Sequence, residues 1–150
     1  RRSSSPDTSA EPVASIRSGA GCSTPTSRST AVRGRSKGRT TCCAGQSSST
    51  WPKIRDAGRF CVNVLAEDQE DVCRVFASRS TDKFAEVGWK HSGNGSPLLH
   101  GVLAFIDCDI AQVVPSGDHD VVIGAVTDLD VLHEGGPLLF FRGGYGRFGL

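Results

Sequence analysis

The sequence predicts a small, mainly β domain with two short helices, built either as an antiparallel barrel or as an α+β sheet domain. Three observations predict this. Four apolar stretches of strand length lie between residues 59 and 148, turn-forming residues separate them, and only two segments show helical spacing. So few helices cannot supply the crossovers that a parallel sheet needs. At 150 residues the chain has the length of one domain.

Residues 1–42 are rich in Ser, Thr, Arg and Gly and contain no Leu, Phe, Tyr, Trp or Met. Val13, Ile16 and Val32 stand alone and build no apolar face of either period, so ordering this segment would cost backbone entropy without burial to offset it. It reads as low-complexity and disordered, with the folded domain over 43–150. The charge changes at the same place: residues 1–50 carry a net +6 and residues 51–150 a net −5, which together give the formal +1 of the chain.

From Ala44 the elements follow in order. A Ser/Thr cluster leads into Trp51-Pro52, a helix start with Pro in its first turn, and the helix closes at Gly58. "RFCVNVLA" is a buried-strand run. In "EDQEDVCRVFAS", Val72, Val75 and Phe76 recur at helical spacing among acids, which predicts a second short helix. "STDKFAEVGWKHSGNGSPLL" reads as a long turn-rich connection. "GVLAFIDCDIAQVVP", "HDVVIGAVTDLDVL" and "PLLFFRGGYGRF" then give three or four strands separated by turns.

Several motifs exclude functions. "GYGRFG" matches GxGxxG by letter, but no helix and no later acid follow it, so it is not a dinucleotide fingerprint. "RGRSKGR" has no interleaved aromatics for base stacking and reads as a solvated charge run, which argues against nucleic acid as a partner. The six cysteines form no CxxC and no Cys/His pair at zinc spacing, so no metal site is expected. Cys61 and Cys108 lie in apolar runs, where a thiol acts as a small hydrophobe. No run is long enough to span a bilayer and no leader pattern is present, so a reducing cytoplasmic location is expected and Asn94-Gly95-Ser96 reads as a turn.

"VVPSGDHDVVIGAVTDL" places His119 at a tight turn between two strands. An exposed turn histidine is ordinarily inert. By spacing alone no catalytic triad and no carboxylate pair can be assigned.

Taken together, "SSSTWPKIRDAGRFCVNVLAEDQEDVCRVFAS", "DKFAEVGW", "GSPLLHGVLAFIDC", "SGDHDVVIGAV" and "PLLFFRGGYGRF" resemble the flavin reductase family of FMN-binding split β-barrels. The nearest likeness is to the reductase components of two-component flavin-dependent monooxygenases, and it covers residues 43–150. The resemblance implies that NADH or NADPH reduces FMN or FAD, and that the reduced flavin passes to a partner monooxygenase. It also implies a homodimer. Carried over by position, Ser48, Ser49 and Thr50 would line the flavin phosphate and ribityl chain. Lys83 and Phe84 match the DKF motif near phosphate and cofactor. His119 would face the nicotinamide with Asp118 holding its ring, and Arg142 and Tyr145 match RGxY as a phosphate or carboxamide fork and a stacking ring.

The family pattern also has an N-terminal helix, two barrel strands and a Ser/Thr-rich flavin loop upstream, and residues 1–42 carry nothing like them. The expectation is therefore an incomplete barrel with open strand edges. The abrupt change of composition, and the lack of Met even at position 1, suggest a shifted reading frame or a rejoined fragment over residues 1–42. A non-catalytic flavin-binding or dimerising remnant of a reductase is the rival reading.

Overall fold

The computed structural model describes residues 38–78, 80 and 82–147. Its elements run β1 (Arg39–Gly45), α1 (Trp51–Ala57), β2 (Arg59–Val64), α2 (Glu70–Ala77), β3 (Trp89–His91), β4 (Pro97–Leu99), β5 (Ala104–Ser116), β6 (His119–Val131), β7 (Leu139–Phe141) and β8 (Gly144–Gly146). One antiparallel sheet has the order β1-β6-β5-β2, and β3–β4 and β7–β8 form two separate hairpins. Among the described residues the sheet is open, with β1 and β2 at its edges. No helix among them is long and apolar enough to cross a membrane.

Two findings correct the sequence reading. Residues 39–42, assigned by composition to the low-complexity segment, are strand: β1 pairs with β6 from Arg39↔Ala125 to Gly45↔His119. A ready-made neighbour in β6 overrides weak local propensity there. The remainder of that segment, residues 1–37, lies outside the described residues. The connection over 80–99 also contains a hairpin, β3–β4, whose strands are too short to show a period.

The sheet separates two apolar clusters. On one face Trp51 and Ile54 of α1 pack with Ala44, Phe60, Val62, Cys108 and Val122. On the other, Phe76 of α2 and Leu98 and Leu99 of β4 pack with Cys61, Val102 and Phe105. β2 is therefore buried on both faces, which explains its continuous apolar run. Gly124 lies under the Phe60 ring. A Cβ there would sit 2.7 Å from Phe60 Cζ and 2.9 Å from Cys108 Cβ, so only glycine fits.

Local signals set the helices. α1 has Pro52 in its first turn and ends at Gly58, whose φ of 68° is left-handed and whose N–H bonds Ile54 O and Arg55 O. α2 presents Val72 and Phe76 to the core and carries a Glu70–Arg74 pair on its outer side. Asn63 spans the gap from β2 to β4: its amide donates to Pro97 O at 3.1 Å and its oxygen accepts from Leu99 N at 2.9 Å. The thiols expected inside are inside. Burial pushes the Cys108 thiol up to about 12, and burial followed by the charge of Asp107 raises Cys61 further, so both are unreactive near neutral pH.

Candidate active site

β5 and β6 pair along most of their length and join through a two-residue loop, Gly117-Asp118, closed by the Ser116↔His119 pair. Gly117 has φ 64° while Asp118 does not have a positive φ, the pattern of a II′ turn that suits twisted strands. This turn puts Asp118 and His119 at the end of the hairpin. His119 Nδ1 lies 2.7 Å from Asp118 Oδ1, which fixes the ring and leaves Nε2 facing the other way. The side chain of His119 is 52% exposed, so the ring is open to a ligand.

The hydrogen bond from His119, followed by the charge of the ring, holds the Asp118 carboxyl below its ordinary value. A depressed folded-state pKa means that this pairing acts above the unfolded-state value and is lost as pH falls through the lowered one. Because the carboxylate is fully exposed, its effect on stability is small. In an NMR titration the Asp118 midpoint is expected below the ordinary value of about 3.9. It should return towards that value in His119→Ala, and a midpoint indifferent to that substitution would rule out the pairing.

The end of β1 brings a second loop to the same place. Gly45 pairs with His119, and a Cβ on it would lie 3.7 Å from His119 Nε2. Gln46 N donates to Asp118 O at 3.0 Å. Ser48 Oγ accepts from the N–H groups of Thr50 and Trp51, both at 3.3 Å, and so shapes the entry to α1. With its lone pairs used in this way, the Ser48 hydroxyl proton is available to an acceptor outside the loop. Ser49 is exposed and Thr50 half-buried beside it. Hydroxyl loop and imidazole thus meet through residues 45, 46, 118 and 119.

The other residues selected from the sequence stand in two further groups. Lys83 Nζ donates to Phe76 O at 2.9 Å, placing a cation on the C-terminal end of α2. Phe84 packs edge-on between Phe76 and Trp89, in the second core cluster. Arg142 occupies the β7–β8 turn with φ 50°, followed by Gly143 at φ 83°; both values are those of a I′ turn. Its guanidinium lies 5.2 Å over the Phe141 ring. Tyr145 docks this hairpin on α2, with its hydroxyl 3.4 Å from Cys73 Sγ and its ring 5.0 Å under Arg74. Lys83, Phe84 and Tyr145 thus gather around α2, and Arg142 stacks within its own hairpin.

Asp120 and Gln46 were not selected from the sequence, yet the fold brings both to the site. Asp120 is buried and bonds both Trp51 Nε1, at 2.7 Å, and Gln46 Nε2, at 3.2 Å. These contacts join positions 69 and 74 residues apart. The one available hint was an acid beginning an apolar strand.

The candidate site is thus a braced imidazole beside a hydroxyl loop, at one end of an open antiparallel sheet. Residues 39–149 match the flavin reductase like domain, and the chain belongs to that family. It is 53% identical over 103 residues to a flavin reductase of Pseudomonas putida, covering 69% of this chain and 61% of that protein. Its fold resembles that of a nitrilotriacetate monooxygenase component B homologue from Mycobacterium thermoresistibile (TM-score 0.72, 42% identity, 75% of this chain and 64% of that one). It also resembles an NADH:FAD oxidoreductase of Streptomyces globisporus solved with NAD and FAD fragments (TM-score 0.71, 30% identity, 80% of this chain and 73% of that one). The chain spans between 32% and 61% of the length of the curated relatives it matches. The fold is the split barrel of flavin reductases.

Proposed function

We propose that the chain is an NAD(P)H:flavin oxidoreductase that supplies reduced flavin to a partner monooxygenase. The observation that carries this reading is the Asp118-braced imidazole of His119 set against the 48–50 hydroxyl loop, on a domain of the flavin reductase family. Bound FMN or FAD supplies the hydride acceptor, with NADH or NADPH as donor. The work left to the protein is to bind, to align and to exclude side reactions.

The hydroxyls of Ser48, Ser49 and Thr50 suit phosphate or ribityl oxygens. His119 Nε2, turned away from Asp118, suits the nicotinamide carboxamide. Lys83 and Arg142 would supply cations to the phosphates, and Phe84 and Tyr145 aromatic surface to the rings. A homodimer and a cytoplasmic location complete the proposal.

The test is NADH oxidation by the purified chain with FMN or FAD, together with quenching of flavin fluorescence. Oxidation that depends on added flavin, with quenching at micromolar protein, is the expected result. Quenching without oxidation would instead identify a flavin-binding remnant, and no quenching by either flavin would end the proposal.

A further inference from the structure

We propose that Asp120 is a positioning residue that fixes the hydroxyl loop against the His119 turn and thereby sets flavin affinity; the inference rests on the reductase reading above. Asp120 follows His119 in β6, so strand alternation sends its side chain to the opposite face of the sheet. Where His119 is half exposed, Asp120 is only 6% exposed. Among the described residues it forms no ion pair. A carboxylate that is buried without a cation is destabilising unless donors hold it.

Both of its oxygens are held. Oδ2 accepts the indole N–H of Trp51 at 2.7 Å and Oδ1 accepts the amide of Gln46 at 3.2 Å. These two donors bracket Ser48, Ser49 and Thr50 in the chain. At the Gln46 end, the backbone bond from Gln46 N to Asp118 O makes a second tie to the same turn. One side chain therefore sets where the hydroxyl loop stands relative to the imidazole. The His119 turn itself needs no such help, since its own hairpin and Asp118 place it.

Asp120→Asn keeps the shape but turns an NH2 group towards one of the two donors, so one of the two bonds is lost. In the full chain the FMN dissociation constant, read by fluorescence quenching, is expected to rise about tenfold, the effect of losing one charge-assisted hydrogen bond. The KM for FMN should rise with it, while the KM for NADH moves by less than about twofold because the His119 turn is untouched. In the flavin-free chain, amide exchange of residues 47–50 should speed up by about tenfold.

A merely structural role predicts a different pattern: a smaller active fraction with both constants unchanged. Gln46→Met removes one donor at an exposed position where folding is not at risk, and should shift flavin affinity in the same direction by about threefold. Wild-type flavin affinity and loop exchange in both variants would overturn the inference. A wild-type chain that neither binds nor reduces flavin would overturn the reductase reading instead, and with it the role assigned here, even if the loop exchange responded as described.

Discussion

Phe60→Ala is expected to cost about 3–5 kcal/mol, the range for removing a buried aromatic ring. The ring is 1% exposed and packs among Trp51, Ile54, Val62, Cys108 and Val122. What places this site at the upper end of the range is Gly124. The ring occupies the space that a side chain at 124 would need, so removing it leaves a cavity that Gly124 has no side chain to fill. Against a net stability of about 5–15 kcal/mol, this is a large share of the whole. Equilibrium urea denaturation measures it, with Val131→Ala, at 67% exposure, as a control expected within about 0.5 kcal/mol of the parent. A loss under about 1 kcal/mol at Phe60 would mean that the two strands and α1 do not close over the ring as described.

His119→Ala is expected to lower kcat/KM for NADH by about a hundredfold, the scale of misplacing a reactant by about an ångström. Asp118 takes Nδ1, so Nε2 is the ring nitrogen that the proposed role assigns to the nicotinamide. Flavin affinity should change by less than about threefold, because the hydroxyl loop is tied to the turn through Gln46 and Asp120 rather than through the imidazole. Stability should hold within about 0.5 kcal/mol, since the ring is half exposed. Steady-state kinetics separates these effects. Undiminished turnover would remove His119 from the reaction, and a matching loss of flavin affinity would give it a different role.

The parts of the fold that were legible in the sequence were those set by neighbours in the chain. Trp51-Pro52 and Gly58 bound α1 because capping and left-handed φ are local matters, and the turn before His119 reads from Gly117 for the same reason. The start of β1 was hidden: nothing in "RTTC" favours a strand until β6 is beside it. The burial of Asp107 was hidden as well: it sits opposite Cys61 while Cys108 sits opposite Phe60, and because both faces of this part of β5 are covered, alternation marks no exposed side. At the site, the Asp118–His119 contact joins adjacent residues and could be anticipated. The Gln46–Asp120–Trp51 network joins distant strands and could not. Arg142 shows the reverse case. Its left-handed turn position could be read from the glycines that follow it, which the sequence reading passed over in favour of the side chain.

The two-residue loop at Gly117-Asp118 also has a consequence in time. It closes the longest pairing among the described residues at a small entropic cost, so β5 and β6 can zip together from the turn on the microsecond scale typical of hairpins, about 1–10 μs. β1 and β2 add on opposite sides of that ribbon, and the sheet grows outwards from its middle. φ-value analysis is expected to give values near one at the turn that carries Asp118 and His119 and low values at Phe60 on β2; uniform values would show that the turn does not lead folding. Selection for chemistry at that turn and selection for rapid folding would act on the same four residues, Ser116–His119.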